Sequence, residues 1–581
     1  MAEPLQLSAF EKWRQRLGPE LSRTAQRFPI PVVLIVIATI LFLIEVNTSP
    51  EIEGDILAKS VVTLAFSTLF AVACQLMVET GVLSKLLSWI LAGIGLLVFG
   101  ATLFFDSMAI GEPFMWAPIL VLFTSVAPAL KPRANSSHSQ QDFFWWINHR
   151  SIVAACIAGL AFLLILLGMV IIERSVAVLF NIGVDRLIYG YLLTLAGVLF
   201  APIYWLAMIP EVTQFDKGEL EQPDPLSRAV GFLGLYIFTP FLCLYSLILM
   251  AYAAQILVLQ TYPEGTVGWM VVGFICVAGL NHLLLYPGFM RAKPMVARYL
   301  RYWPFLAIIP LIMLVIAIQI RVSHYGLTPE RILLIAGAVW TIAIIALGVF
   351  NKLDIRLLPG LAALILLPIS FGPFNIEMWA MRDQLSRFEQ NYATWQDQQS
   401  DEAAQGLRSA SNYLLNSAEG RQALTQTLTV KGMDVEGEIT REQLTALLGV
   451  PDIAPTYRDN EFVLLAQKEP VDLSGDFIFY GRGELPCCEK EVGPYEFKLD
   501  DRELVITRDN EPFATHDLTP WVNQQNMSVT TLREPMIEIQ ADGRTLLLLV
   551  YHATFELKPD EVRKPARLDY YVLEKKGNGA N

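Results

Sequence analysis

The chain has 581 residues, 54% of them hydrophobic and 17% charged, with a formal net charge of −13 at pH 7. Residues 1–372 hold 22 basic and 21 acidic groups, which leaves 21 basic and 35 acidic groups for residues 373–581. Apolar stretches that fill residues 1–372 exclude a wholly soluble chain, and the acidic block disfavours nucleic acid and anionic headgroups as partners, beyond the ordinary solubility it confers.

In chain order, residues 1–28 read as a cytoplasmic amphipathic segment: Leu5, Phe10, Trp13 and Leu17 can share a face while basic residues ring the other. Eleven apolar windows follow, at about 31–46, 57–78, 86–105, 114–130, 152–172, 187–209, 229–259, 267–285, 304–320, 332–350 and 357–371. A hydrocarbon core about 30 Å thick takes roughly 20 apolar residues in helix, because a spanning backbone must satisfy its own hydrogen bonds. The first window ends at Glu45 and Asn47, which offer no small-residue cleavage site, so it reads as a span and not a signal peptide.

Lys and Arg resist translocation and mark the cytoplasmic loops. With the N-terminus inside, seventeen of the 22 basic residues of the apolar half fall on the cytoplasmic side, and only Lys59, Arg174, Arg186, Arg321 and Arg331 fall outside. An odd number of spans then exports the C-terminal block. The expected fold class is thus an α-helical polytopic bundle of about eleven helices with a C-terminal soluble α+β, mainly antiparallel β, domain. The boundaries are 29–372 for the bundle, 373–430 for a helical stalk and 431–581 for an exported sheet-rich domain.

Between the spans, residues 131–150 join a linker-like stretch to the aromatic run Phe143, Phe144, Trp145 and Trp146, which suits an interfacial belt. The acidic run 216–225 cannot bury a core. Arg291, Lys293, Arg298 and Arg301, interleaved with Tyr299, Tyr302 and Trp303, form the densest basic cluster, suited to anionic lipid headgroups or simply to fixing topology. On the other side lies Arg321-Val-Ser-His-Tyr-Gly-Leu-Thr-Pro-Glu-Arg331. Gly326 permits a turn, Thr328 can cap the next helix, Pro329 suits its first position, and Glu330 favours the positive end of its dipole. Helix initiation leaves unexplained the gathering of Arg321, His324, Tyr325 and Arg331, the candidate outer-mouth site.

Tyr325-Gly-Leu-Thr-Pro-Glu-Arg331 between two spans, a following span with Trp340, the hairpin Asn351-Lys-Leu-Asp-Ile-Arg356 and a span ending Ser370-Phe-Gly-Pro373 together resemble the domain-of-unknown-function 4153 group of bacterial multi-span membrane proteins. Asp383-Gln-Leu-Ser-Arg-Phe388 only approximates that family's usual Ser-Gln-x-x-Arg-Leu pattern. The resemblance implies topology, and no activity comes with it.

Beyond the spans, helices are expected at about 377–392, 403–427 and 441–448, with a break near 397–401. Strands are expected at 462–466, 476–480, 495–499, 503–508, 536–540, 545–551 and 568–573, separated by Asp/Asn/Gly turns. Cys74, Cys156, Cys243 and Cys276 lie in apolar windows and read as small apolar side chains. Cys487 and Cys488 are adjacent in a loop-like run, a candidate redox pair or a pair of free thiols, and two ligands do not close a zinc site.

The sequence carries no Walker loop, Gly-x-Ser-x-Gly elbow, His-Glu-x-x-His or dinucleotide fingerprint. His516 and His552 could converge with Asp517 or Glu556. Glu51, Glu53 and Asp55 in the first outer loop suggest a lipid-linked-sugar glycosyltransferase, but a loop of about ten residues is short for that chemistry. For a small-molecule transporter, Asn281 and His282 form the most polar intramembrane pair, with Gln75 and Gln255 as neutral companions and Pro202, Pro240 and Pro310 as places where helices break. No internal repeat supports a two-fold carrier. The reading favoured is a bacterial inner-membrane protein acting without catalysis, cofactor or metal as an envelope anchor, sensor or binding component. Its expected partners are membrane lipids and an envelope protein held by the exported domain.

Overall fold

The computed structural model describes residues 19–47, 54–105, 110–131, 137–180, 184, 186–215, 218–221, 223–259, 267–431, 433, 439, 441–448, 461–465, 477–485, 491–500, 502–509, 511–524, 535–541, 544–556 and 564–575. The chain divides into two compact units, Met1–Asp383 and Gln384–Asn581. The N-terminal residues Leu5, Phe10, Trp13 and Leu17, the acidic pair Glu51 and Glu53, and Cys487 and Cys488 lie outside the described residues.

The first unit is helical, and every one of the eleven windows folds as helix. Among the described residues, eight helices are long and apolar enough to cross a membrane: Ile56–Glu79, Lys85–Phe104, Gln140–Phe180, Leu187–Gln214, Pro225–Ile256, Val267–Leu284, Pro294–Ser323 and Pro329–Val349. The pair Pro19–Arg27 and Pro29–Glu45, bent by 107°, makes a ninth if taken as one span. The remaining two windows are the shorter helices Pro113–Ala129 and Leu357–Ser370. At about 1.5 Å per residue these reach roughly 25 and 21 Å, less than a hydrocarbon core of about 30 Å. They pack against each other. Among the described residues, eight or nine of the eleven windows therefore reach that length, because hydropathy detects an apolar stretch without fixing how far it extends.

Proline accounts for two of the three π stretches, Arg186–Leu192 being the exception, and for one helix break. π turns run over Leu195–Phe200 and Leu233–Phe238, each ending two residues before a proline, Pro202 or Pro240. Proline lacks an N–H and its ring crowds the carbonyl four residues back, and widening the turn relieves both. Pro310 stands just after the break at Ala307 that separates Pro294–Leu306 from Ile308–Tyr325.

Polar ties hold the helix ends in register. Arg27, at the bend of the first pair, donates to both oxygens of Glu79 at 2.7 and 2.8 Å and to the carbonyls of Pro210 (2.9 Å) and Ile209. Lys131 donates to Gly81 O at 3.1 Å, and Arg356 to Ala129 O at 3.0 Å. At the opposite ends of the helices, Tyr191 donates to Asn47, Gly111 bridges Phe371, and Trp116 stacks on Phe371 with ring centroids 4.0 Å apart. Each tie joins ends that alternate traversal assigns to one face. The face with Arg27, Lys131 and Arg356 is called the basic end below.

Two sequence expectations fail at the basic end. Phe143, Phe144, Trp145 and Trp146 are 2%, 3%, 8% and 3% exposed, so they form a core and not an interfacial belt. Consecutive helical residues point about 100° apart. Four buried in a row mean that the start of the Ser137–Phe180 helix is enclosed all round, by Val212, Leu220, Tyr286 and Ile355 among others. Leu220, from the acidic run expected to bury nothing, belongs to the same core on the short helix Gly218–Glu221.

The second unit takes in most of the helix Ile376–Gln398, which ends where Gln399 adopts a positive φ of 47°. The single helix expected over 403–427 is two, Asp401–Leu415 and Ala418–Val430, because the Ser417 hydroxyl accepts from Gly420 N at 3.0 Å and caps the second. Arg441–Leu448 forms as expected. The strands are β1 Glu461–Leu465, β2 Phe477–Leu485, β3 Glu491–Val492, β4 Tyr495–Asp500, β5 Glu503–Arg508, β6 Glu511–Asp517, β7 Met536–Ala541, β8 Arg544–Glu556 and β9 Lys564–Lys575. Of these, β3 and β6 were not foreseen. One sheet runs β1-β8-β9-β2 with β7 also on β8, the other β3-β4-β5-β6, and every pairing is antiparallel. Alternate residues of both sheets, including Phe497, Ile506, Leu548, Phe555 and Tyr570, share one core.

Candidate functional site

The intramembrane pair expected from sequence comes together with partners that were not. Val267–Leu284 carries Asn281 and His282 in its last turn, near the basic end and not at the middle of the helix. Trp303 Nε1 donates to His282 Nδ1 at 2.8 Å. An indole N–H can only donate, so Nδ1 is the acceptor and the neutral ring carries its proton on Nε2. Asn281 Nδ2 donates to Thr239 Oγ1 at 3.0 Å, and Thr239 donates in turn to Gly234 O at 2.8 Å, inside the π turn Leu233–Phe238. A Cβ on Gly234 would stand 3.1 Å from Asn281 Oδ1, so the glycine permits this close approach. Asn281 is 1% exposed, and its Oδ1 has no hydrogen-bond partner among the described residues.

A rim of polar groups adjoins this node. Asp142 accepts from Tyr286 OH at 3.0 Å and from Arg291 Nη2 at 3.4 Å, while the Arg291 guanidinium lies 4.3 Å from the Tyr286 ring centroid. Burial, reinforced by Asp142 against the opposing Arg291 charge, pushes the Tyr286 phenol above its ordinary value. Trp145 Nε1 donates to Leu283 O at 2.8 Å, and its ring stacks on His149 at 4.6 Å. Of the basic cluster, only Arg291 is drawn into this rim. Lys293, Arg298 and Arg301 stay exposed on or beside the Pro294–Leu306 helix, whose opposite face buries Val296, Tyr299 and Trp303.

At the outer-mouth motif, Gly326 takes a φ of +75°, Arg331 donates to its carbonyl, and the Arg331 guanidinium lies 5.6 Å from the Tyr325 ring centroid. Asp383 accepts from Leu327 N at 2.7 Å. Arg331 and Asp383 thus hold the turn from both sides. Thr328 occupies the cap position, but its side chain makes no capping hydrogen bond, contrary to expectation. Arg321 lies on the preceding helix, half-buried, and the side chain of His324 is outside the described residues.

In the sheet unit His516 and His552, which could have converged, lie on different sheets. His516 lies on β6 of the four-stranded sheet, whereas His552 on β8 of the other has Nδ1 3.0 Å from Asp569 Oδ2. Arg567 links Asp569 (3.0 Å) to Glu484 (2.7 Å), making a charged row across β2, β9 and β8. Beside it on these strands, Tyr551 and Tyr571 rings lie 5.0 Å apart, Arg482 lies 5.8 Å from the Tyr551 ring, and Phe479 is 62% exposed. Glu574 accepts from Tyr480 (2.8 Å), Tyr495 (3.0 Å) and Arg544 (2.6 Å). Burial raises its carboxyl, but these three donors outweigh burial and hold it below the ordinary glutamate value. Among the described residues, no three His, Cys, Asp or Glu gather as metal ligands.

Asp142, Thr239, Tyr286 and Asp383 escaped the sequence reading of the site, and Trp303 was placed with the basic cluster and not with His282. Only Asp383 had a local signal, the approximate motif that begins with it.

The model of the family described as Domain of unknown function (DUF4153) matches residues 32–410. A curated relative, Uncharacterized protein PM1469 of Pasteurella multocida (strain Pm70), is 29% identical over 229 residues, which is 38% of this chain and 37% of that protein. The chain therefore matches little more than a third of that relative's length. No solved structure matches.

Proposed function

The chain belongs to the DUF4153 family, and from that premise we propose that it is a multi-pass protein of the bacterial inner membrane, with a cytoplasmic basic end, that works without catalysis as a membrane-anchored binding component. The sheet unit faces the extracytoplasmic side in this reading and holds an envelope protein. The observation that carries the reading is the composition of β2, β9 and β8: exposed Phe479, the Tyr551–Tyr571 pair, Arg482 and the charged row through Arg567. Aromatic residues and arginine supply most of the energy at protein interfaces, and β2 is the last strand in its sheet's order among the described residues.

The test is photo-crosslinking in native membranes from an unnatural benzophenone side chain placed at Phe479, at Tyr571 and, as control, at Lys498 on the other sheet. A discrete adduct from the first two positions and not the third supports the proposal. Adducts from none, or equally from all three, overturn it.

A transport reading is favoured by one observation, the unpaired Asn281 Oδ1 beside a π turn, since such turns recur at functional sites. Uptake into proteoliposomes that is lost in Asn281→Ala, with the melting temperature kept, would move the function there.

A further inference from the structure

The two short helices create a space that the full-length spans do not. Pro113–Ala129 forms the floor of an apolar cavity of about 820 Å3, walled by Lys85–Phe104 on one side and Leu357–Ser370 on the other. That volume lies within the roughly 300–1,000 Å3 typical of small-molecule sites. Its walls are hydrocarbon side chains such as Ile94, Val98, Leu120, Leu364 and Leu367, of which Ile94, Val98, Leu364 and Leu367 are also exposed on the bundle surface. The space therefore opens sideways, where the bilayer would be.

Its polarity changes at one end only. Leu130, Asp354 and Arg356 close the cavity at the basic end. Arg356 is engaged by Asp354 at 2.7 Å and by Ala129 O, so this pair is close to neutral. Lys131, next to Leu130 and exposed, gives one hydrogen bond to Gly81 O, and an ammonium carries three donors. Lys352, on the turn that leads into Leu357–Ser370, is exposed as well. The cavity thus has an apolar shaft, and two exposed lysines, Lys131 and Lys352, stand next along the chain to the residues that line its basic end. From Leu357 to Leu367 the shaft runs ten residues of helix, about 15 Å at about 1.5 Å per residue, which is half of a hydrocarbon core about 30 Å thick. One leaflet supplies an occupant of that length and polarity.

We propose that this cavity binds one acyl chain of an anionic phospholipid from the leaflet at the basic end, with the headgroup at Lys131. A short floor and one short wall favour such an occupant, because where helices fail to reach across, the bilayer must thin or a bound chain must fill the gap. The site is separate from the exposed Lys293, Arg298 and Arg301, and it does not depend on the binding role proposed for the sheet unit.

The experiment uses the full chain in nanodiscs of phosphatidylglycerol or phosphatidylcholine, each doped with the matching lipid bearing a diazirine near the middle of one acyl chain. The expected result is labelling concentrated on peptides covering 113–130 and 357–370, at least threefold higher in phosphatidylglycerol. Ala363→Trp fills the shaft and should lower that labelling at least fivefold while labelling of the rest of the bundle is kept. Gly360→Leu is the second variant, since a Cβ there has room, 3.9 Å from Val126 Cγ2. Lys131→Gln should abolish the preference for phosphatidylglycerol without abolishing labelling. Labelling spread evenly over the lipid-facing helices, or unchanged in both filled variants, overturns the site. An unchanged lipid preference in Lys131→Gln overturns the headgroup assignment.

Discussion

Single side chains in this protein act mostly by completing one another's hydrogen bonds far from water. Trp303 and His282 are 21 residues apart, on helices that only tertiary packing brings together, which is why the sequence offered His282 without its partner. Removing the indole donor, as in Trp303→Phe, leaves a buried imidazole nitrogen unsatisfied and a smaller ring in a packed site, and should destabilise the bundle by at least about 1–3 kcal/mol. The check is a melt in detergent, in which Tyr302→Phe, at an exposed neighbour, should leave the transition in place. Arg27 and Glu79 are largely buried, and Glu79→Gln leaves a guanidinium short of its counter-charge at the bend. The expected cost is on the order of 3 kcal/mol, read in the same way. Glu574 gives a pH prediction. Its folded carboxyl is held below the unfolded value of about 4.3, so its contribution is full above that value and is lost as pH falls through the folded one. Melting of the sheet unit within the full chain should therefore fall between about pH 4.3 and more acid values, and Glu574→Gln should flatten that slope.

At the scale of elements, hydropathy located every apolar helix, because twenty residues without charge have few alternatives to burial in lipid. What it missed was reach and register. The pairing of Pro113–Ala129 with Leu357–Ser370 and the π turns before Pro202 and Pro240 depend on neighbouring helices, which a window along one chain does not contain. The strands were legible where side chains alternate, as in β5 and β7, and β6 was not, since Glu511-Pro-Phe-Ala-Thr-His-Asp517 has too few apolar residues and a proline. The aromatic run 143–146 was misplaced for a related reason: an interfacial belt and a buried helix start use the same residues. They differ in energy. Trp146→Ala in a core should cost about 3–5 kcal/mol, whereas a belt tryptophan facing headgroups would cost far less. A transition lowered in proportion to several kcal/mol, set against a small change for the exposed Trp89→Ala, is the expected outcome.

For the whole molecule, the seam between the apolar half and the acidic block was visible in composition alone, but the direction of the chain through the membrane rests on charge. Seventeen of the 22 basic residues of residues 1–372 fall on one side under strict alternation. The ties seen between helix ends obey the same alternation: Arg27 meets Glu79 and Pro210, Lys131 meets Gly81, and Arg356 meets Ala129, while Gly111 meets Phe371 at the other end. Each tie fits a chain whose intervening segments all run from one end of the bundle to the other. This bears on the two short helices, because a return midway in one of them alone would put Gly111 and Phe371 on opposite faces, and a return within Pro113–Ala129 would also part Gly81 from Lys131. With the basic end in the cytoplasm, alkaline phosphatase joined after Lys352 should be inactive and the same enzyme joined after Asn375 active, because only Leu357–Ser370 lies between them. Equal activity at both sites would mean that this helix of 14 residues does not traverse. The sheet unit would then lie on the cytoplasmic side, and the envelope partner proposed for Phe479 and Tyr571 would have to be sought there.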